Sequence, residues 1–158
     1  MITIRESTPA DAAAVADVLR RSIVELCGAD HGGRAETLRR WLANKTPEAV
    51  AAWCEDADSY CVSAADESGV VCGFGMLYRD GEILLLYVSP DHIDCGVGRG
   101  ILAALEARAR LWGIAELRLD SSATAKPFYE RHGYVGADSC GSREDGLLCH
   151  AMRKPLGG

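Results

Sequence analysis

Apolar positions along the chain change period several times, and each change marks an element. Met1 to Arg5 alternates from an apolar start and predicts a short first strand. Thr8-Pro9-Ala10-Asp11 then predicts a helix start: Thr8 can cap, Pro9 fits the first helical position, and Asp11 suits the positive end. Val15, Val18, Leu19, Ile23 and Leu26 follow at helical spacing, and Gly28 ends the run. Residues 29–33, with His31 and two glycines, predict a polar loop. Residues 34–43 predict a second helix with Leu38, Trp41 and Leu42 on one side, and Thr46-Pro47-Glu48 opens a third through Trp53.

Strand signals take over next. Tyr60 to Ala65 and Val70 to Tyr78 predict an antiparallel hairpin, and the Arg79-Asp80-Gly81 turn leads into a strand from Glu82 to Val88. Ser89-Pro90 stops it, because proline cannot donate to a ladder. A glycine-rich loop runs straight into a helix with Ile101, Leu102, Leu105, Ala109 and Trp112 on one face, closed by Gly113. Ala115 to Asp120 is the next strand, Ala123 to His132 a short helix, and Tyr134 to Ala137 and Leu147 to Arg153 the last strands. The order implies an α/β or α+β chain: a mixed, mostly antiparallel sheet flanked by helices, with one β-α-β crossover from residue 82 to 120. Residues 1–158 read as one domain, a length that supports a real core.

Composition narrows the partners. Hydrophobic residues make up 48% and charged residues 25%, an ordinary globular balance. The start of the chain has no signal-peptide pattern, and the densest apolar run, Ile83 to Val88, is too short to span a bilayer, so a cytoplasmic location and no membrane partner are expected. The seven cysteines are odd in number and form no C-x-x-C pair, which argues against a disulfide framework and a zinc site. Cys149-His150 are neighbours that point to opposite faces of a strand, so they read as structural and no metal is expected. A net charge of −6 makes nucleic acid an unsuitable partner. Residues 96–131 nevertheless carry six cations against four anions, so a small phosphorylated ligand is compatible with that segment.

A strand, a glycine-rich turn and a helix N-terminus form a place for phosphate, because the first helical turn has unpaired N–H groups and about half a positive charge. Three phosphate loops compete for Ile93-Asp94-Cys95-Gly96-Val97-Gly98-Arg99-Gly100. A P-loop needs Lys-Ser or Lys-Thr after the last glycine, which is missing. A dinucleotide fingerprint needs a third glycine at position 101, which is Ile. The third is the pyrophosphate loop of the GNAT superfamily of acetyl-CoA-dependent N-acetyltransferases. Leu86-Tyr87-Val88-Ser89-Pro90-Asp91 followed by Cys95-Gly96-Val97-Gly98-Arg99-Gly100 resembles that family's R/Q-x-x-G-x-G/A motif after its fourth strand. Ile93 stands where the family usually has Arg or Gln, and Cys95 where a small or basic residue is commoner.

A second stretch, Ser122 to Tyr134, resembles the family's later motif, a short helix with A-x-x-F-Y-E ending in a glycine-aromatic pair. The resemblance covers nearly the whole chain. Residues 21–27, and Trp41 before Lys45-Thr46-Pro47-Glu48, look like one small bacterial branch in which residues 20–60 wall the acceptor pocket. The resemblance implies a sheet splayed between residues 82–88 and 115–120, with acetyl-CoA in the cleft and its pyrophosphate on Gly96 to Gly100. Backbone N–H groups of Leu86, Tyr87 and Val88 would hold the pantetheine arm. Residues 93–100, Ser122, Phe128 and Arg131 complete the implied coenzyme A site.

The implied reaction moves an acetyl group to a primary amine, small or on a peptide, by direct attack. A thiol's reference pKa is about 8.5 and tyrosine's about 10, so a neutral Tyr129 can donate a proton to the departing sulfur. The amine must lose a proton, and Glu82, at the start of the strand beside the thioester, is the best base, with His31 and His132 as weaker alternatives. His31, Trp41 and Tyr60 are candidate acceptor contacts, with Trp53 beside them. Trp41, Trp53 and Tyr60 also suit a core. Dimers are frequent among such proteins, so a homodimer stays open. Two rivals remain: an acyl-CoA-sensing module without catalysis, which Ile93 leaves room for, and a nicotinamide-dependent oxidoreductase, which lacks its third glycine.

Overall fold

Strand Thr3–Glu6 (β1) pairs antiparallel with Ser59–Ala65 (β2), which pairs with Val71–Tyr78 (β3), which pairs with Ile83–Val88 (β4). These four strands form one sheet in the computed structural model, which describes residues 1–142 and 148–157. Glu116–Ser121 (β5), Val135–Ser142 (β6) and Leu148–Pro155 (β7) form a second antiparallel sheet in the order β5-β7-β6. Leu147, expected to open the last strand, lies outside the described residues.

Helices Ala12–Leu26 (α1), Gly28–His31 (α2), Ala35–Leu42 (α3) and Pro47–Glu55 (α4) fill the stretch between β1 and β2. Val97–Leu111 (α5) forms the crossover and Lys126–Arg131 (α6) follows β5. The capping expectations hold in part. The Thr46 hydroxyl accepts from the Ala49 N–H at 3.2 Å. The Pro9–Asp11 turn is 3-10 rather than α-helical, with the Asp11 carboxylate accepting the Thr8 N–H at 2.9 Å. Within residues 29–33, expected as a loop after Gly28, the chain instead continues a helical turn over Gly28–His31. Its close is supplied by His31, whose Nδ1 accepts from the Gly33 N–H at 2.9 Å, and by Gly32 at φ 58°.

The two sheets meet at a single parallel bridge, Glu82 to Arg118. The Arg118 N–H donates to the Gly81 carbonyl at 2.9 Å there, and its guanidinium to the Asp80 carbonyl. Beyond that point β4 and β5 diverge, so β4 has a ladder partner on one side only. The strand expected from Glu82 therefore starts at Ile83.

β3 is buried on both faces, which explains its nearly unbroken apolar run. Phe74 and Met76 pack against Val15, Leu19 and Val50 of α1 and α4. The other face meets α5, where Ile101, Leu102, Leu105 and Ala109 join Val62, Leu77 and Leu117. Gly73 and Gly75 make that approach possible. A Cβ on Gly73 would sit 2.6 Å from Val97 Cγ1 and 2.7 Å from Ile101 Cδ1, and one on Gly75 would overlap Ile101 Cγ2. No described helix is long and apolar enough to cross a membrane.

Overpacking costs typically about 1–3 kcal/mol when the neighbours cannot give way. Gly75→Ala should therefore lower the unfolding free energy by about that much, read as a lower urea midpoint with an unchanged slope. An unshifted midpoint would show that α5 is not held this close.

Candidate active site

The glycine-rich loop is shaped by backbone conformation. After β4, Pro90–His92 makes a 3-10 turn, with the Ser89 hydroxyl accepting from the Asp91 N–H at 3.2 Å. Asp94 (φ 63°) and Gly96 (φ 79°) then adopt left-handed conformations on either side of Cys95. The α5 ladder begins with the Gly100 N–H on the Gly96 carbonyl at 3.0 Å. The N–H groups of Val97, Gly98 and Arg99 thus precede it with no intrahelical acceptor. Left-handed residues ahead of a helix start turn successive amides into one concavity, where the helix dipole adds positive potential. The Asp94, Cys95 and Arg99 side chains are exposed, as is Ile93, so none of them fills the concavity from within the core. A diphosphate suits such a place.

An ion pair and a histidine–carboxylate contact that sequence reading did not anticipate hold the turn before this loop. Arg21 of α1 reaches Asp91 with bonds of 2.8 and 3.2 Å, and its guanidinium holds that carboxyl below its ordinary range. His92 lies 3.0 Å from the Asp66 carboxylate in the β2–β3 turn, and that contact lowers the Asp66 pKa. Long-range pairs of this kind leave no trace in local pattern.

Helix α6 ties the loop to the cleft. Phe128 lies against Gly98, with a ring carbon 3.2 Å from where a Cβ would stand. The next residue, Tyr129, is buried and lines a pocket of about 160 Å³ with Leu86, Val88, Ser121 and Ser122. Burial, and then the nearby Tyr87 phenol, raises the Tyr129 pKa well above the ordinary value. Its hydroxyl has no hydrogen-bond partner among the described residues. Ser122 accepts from the Ala125 N–H at 3.2 Å and so supports the start of α6. Arg131 is exposed at the far end of that helix. The His132 ring packs on Phe128 with centroids 4.7 Å apart.

A second, adjoining cavity, of about 840 Å³, lies along β4 as well. It shares Trp41, Tyr87 and Asp120 with the smaller pocket and adds Trp53 and Glu82. Trp41 donates its indole N–H to the Tyr87 hydroxyl at 3.2 Å. Burial raises the Glu82 pKa, the neighbouring Asp80 and Asp120 carboxylates raise it further, and Arg118 opposes them. Asp120 was not singled out in the sequence. Its period-2 relation to the buried Leu117 and Leu119 puts it on the open face of β5 and was the available signal.

Two candidates fall elsewhere. His31 is 4% exposed, its Nδ1 accepts from Gly33, and its Nε2 donates to the Ile23 carbonyl at 3.0 Å. Both ring nitrogens are occupied in shaping the α1–α2 corner, and the residue lines neither cavity. Tyr60 stacks edge-on with Trp112, under the Arg108 guanidinium 4.1 Å from its ring centre, on the α5 face of the sheet. It too lines neither cavity. Among the described residues no group of three or more His, Cys, Asp or Glu could hold a metal ion.

Asp30, next to His31, spans the two halves of the molecule. Its carboxylate accepts the Ala123 N–H at 2.7 Å, the Thr124 N–H at 3.4 Å and the Thr124 hydroxyl. Thr124 and Ala125 line the pocket beside Tyr129, so this clasp runs from α2 to the segment that leads into α6.

The chain matches the family model described as an acetyltransferase (GNAT) domain over residues 29–156. An uncharacterized acetyltransferase of Streptococcus pyogenes serotype M1 is 37% identical over 79 residues, 49% of this chain and 54% of that protein. The chain thus spans about half the length of the curated relatives it matches. Among solved structures, a GCN5-related N-acetyltransferase from Rhodopseudomonas palustris is 29% identical, with a TM-score of 0.85 over 98% of this chain and 95% of that one. The PaiA N-acetyltransferase from Thermoplasma acidophilum in complex with coenzyme A is 21% identical, with a TM-score of 0.81 over 98% and 99% of the two chains, a likeness of fold.

Hydrogen bonds to a charged group contribute about 1.5–3 kcal/mol each when buried, and less at a solvated edge. Asp30→Ala should cost about 1–2 kcal/mol of stability. Hydrogen exchange should show the amides of Ala123 and Thr124 losing protection before those of β5. Unchanged protection at both would mean the clasp is not formed in solution.

Proposed function

The chain belongs to the GNAT acetyltransferase family, and from that premise we propose that it transfers an acetyl group from acetyl-CoA to a primary amine. The observation that carries the reading is the adjacency on α6: Phe128 touches the phosphate loop at Gly98, and Tyr129 faces the cleft pocket. One short helix therefore fixes the distance between a diphosphate seat and a phenol.

The N–H groups of Val97, Gly98 and Arg99 would take the diphosphate, with Ile93 contributing no charge where relatives of the motif carry Arg or Gln. The open edge of Leu86 to Val88 would take the pantetheine amides as an added strand. Coenzyme A supplies the activated acyl group as a thioester. The amine nitrogen bonds to the acyl carbon as the carbon–sulfur bond breaks. One proton leaves the amine for Glu82, directly or through water, and one arrives at sulfur from Tyr129. The acetylated amine and free coenzyme A leave, and the proton returns from Glu82 to Tyr129 through solvent. Tyr129 suits its part because burial keeps the phenol protonated. Glu82 suits its part because a raised carboxyl pKa makes a better base at neutral pH. Residues 1–158 act in this reading as one domain, and no second copy is needed to complete the site.

Saturating acetyl-CoA should raise the melting temperature, since a ligand at 100 times its Kd adds about 2.7 kcal/mol. Tyr129→Phe should lower kcat by about 10²-fold or more with little change in the acetyl-CoA Kd. Binding without transfer to a broad amine panel would return the chain to the sensing reading. Unchanged turnover in Tyr129→Phe would remove that residue from the chemistry.

Glu82 must be ionised to accept a proton, so kcat/KM should climb with pH through its raised pKa, and Glu82→Gln should lose that limb. The sign for stability is opposite. A folded-state pKa above the unfolded value means that ionisation weakens the fold as pH rises through that window. Glu82→Gln should therefore be no less stable than the parent at pH 7, and a lower melting temperature there would assign Glu82 to the fold instead.

A further inference from the structure

We infer that Asp120 receives the acceptor: its carboxylate pairs with the amine as an ammonium and sets it beside Glu82, so that cationic amines bind ahead of neutral molecules of the same shape. This rests on the acetyl-transfer reading above and deepens it. The ground is where Asp120 stands. Glu82 lines the larger cavity and Tyr129 the smaller pocket, and neither residue lines both. The lining common to the two is Trp41, Ile83, Leu84, Leu85, Tyr87 and Asp120. Asp120 is the one carboxylate in that common lining among the described residues, so an amine at the junction of the two spaces meets it. Strand geometry gives the reason. Glu82 and Arg118 form the bridge, and Asp120 follows two residues after Arg118 on the same open face of β5, about 6–7 Å further on. There β4 and β5 have already parted, and Asp120 stands where the gap opens.

The fold does not use this carboxylate. Asp120 is exposed and makes no hydrogen bond or ion pair among the described residues. The cations on the same face of β5 and β7 are drawn elsewhere. Arg118 donates to the Asp80 carbonyl at 2.9 Å and lies 3.6 Å from the Asp80 carboxylate. On β7, Ala151 stands opposite Asp120, and Arg153, opposite Arg118, lies 3.8 Å from Glu116. Asp80 is no substitute for Asp120, because it takes the Glu82 N–H at 3.0 Å and lines neither cavity. The Tyr87 hydroxyl accepts the Trp41 indole N–H. Arg39, Arg40 and Lys45, which also line the larger cavity, are cations and receive no ammonium.

An alkyl amine has a reference pKa of about 10.4 and arrives charged at neutral pH. Two protons leave nitrogen on the way from ammonium to amide. The first passes through Glu82 to solvent before attack. The second passes to Glu82 as the carbon–nitrogen bond forms, and it replaces the proton that Tyr129 gives to sulfur. One proton is thus released per turnover, and Asp120 keeps its charge throughout. Each proton taken up by Glu82 relieves its repulsion with Asp120. That repulsion is among the causes of the raised Glu82 pKa, after burial and Asp80, with Arg118 opposing them.

The test uses the full chain and two probes that differ only at their polar end, phenethylamine and 2-phenylethanol. Binding is read first, by tryptophan fluorescence with saturating coenzyme A, because it does not need turnover. At pH 7 phenethylamine should bind about fivefold tighter than the alcohol, the scale of one solvated ion pair. That ratio should shrink with added salt. It should fall towards one in Asp120→Asn, with the coenzyme A Kd unchanged, and return in Asp120→Glu. Equal affinities in the parent chain, absence of binding by both probes included, would overturn the inference, and so would a ratio that survives Asp120→Asn. Transfer to phenethylamine is read second. Loss of the Asp120 charge lowers the Glu82 pKa, so the acid limb of kcat/KM should move to lower pH in Asp120→Asn and stay in place in Asp120→Glu. A role in the fold alone would not move that limb, and an unmoved limb would overturn the inference while leaving acetyl transfer standing. An Asp120-dependent binding ratio with no transfer to any amine would support the ammonium seat and count against acetyl transfer instead. If Asp120→Asn does not fold, Asp120→Ser gives the same readings from a smaller neutral side chain.

Discussion

The distance between α5 and β3 sets the position of nearly everything that bears on function. Helices normally stand off a sheet by the bulk of the side chains between them. Here Gly73 and Gly75 remove that bulk from one strip of β3, and Val97, Ile101 and Leu105 occupy it. The first turn of α5 is thereby pressed onto the sheet, and the loop before it has to rise steeply from the end of β4. Left-handed conformations at Asp94 and Gly96 accomplish that turn. The same approach brings Gly98 under Phe128, so α6 is positioned from α5 and not from its own strand alone. A larger residue at the two strand glycines would lift the helix, move the amides of the loop, and shift Tyr129 with them.

The cleft has a different cause. A parallel β-α-β crossover would ordinarily deliver β5 alongside β4 and zip the two together. The chain allows one bridge, at Glu82 and Arg118, and then the strands part. β5 takes β7 as its ladder partner from Glu116 to Ser121, and β4 is left with an open edge. An unpaired edge inside a protein is costly unless something completes it. Two contacts keep the opening from collapsing or spreading. The bridge pins its narrow end, and the Asp30 carboxylate holds the Ala123–Thr124 segment at the other. The clasp joins residues 93 positions apart and is invisible to any local reading.

This divides what was legible from what was not. The order of elements followed from period changes and from proline and glycine punctuation, and the glycine-rich loop stood out because its pattern is confined to eight consecutive residues. Trp41 and Glu82 line the larger cavity, whereas His31 and Tyr60 line neither, because a histidine or an aromatic residue at the right spacing looks the same whether it faces a ligand or a neighbouring helix. Only the positions of Ile23, Gly33, Trp112 and Arg108 decide that, and those are tertiary facts. Asp120 was missed for the complementary reason. A polar residue on the open face of a half-buried strand is the commonest pattern in any sheet, and it becomes informative only when the neighbouring strand is known to have swung away.

The two groups assigned to proton transfer illustrate how one cleft supports opposite environments. Tyr129 lies on the dry side, between Phe128 and Tyr134, and burial is the main cause that keeps its proton in place. Glu82 lies at the wet mouth, where Asp80 and Asp120 add to the effect of partial burial and Arg118 moderates it. Both shifts are upward, yet their consequences differ, because the proposed reaction needs one residue protonated and the other deprotonated. A phenol made reluctant to ionise remains a donor across the whole physiological range. A carboxyl with a raised pKa holds a proton more firmly once it has one. The same physical influence, loss of water around an acidic group, thus suits one residue to give a proton and the other to take one in the proposed reaction.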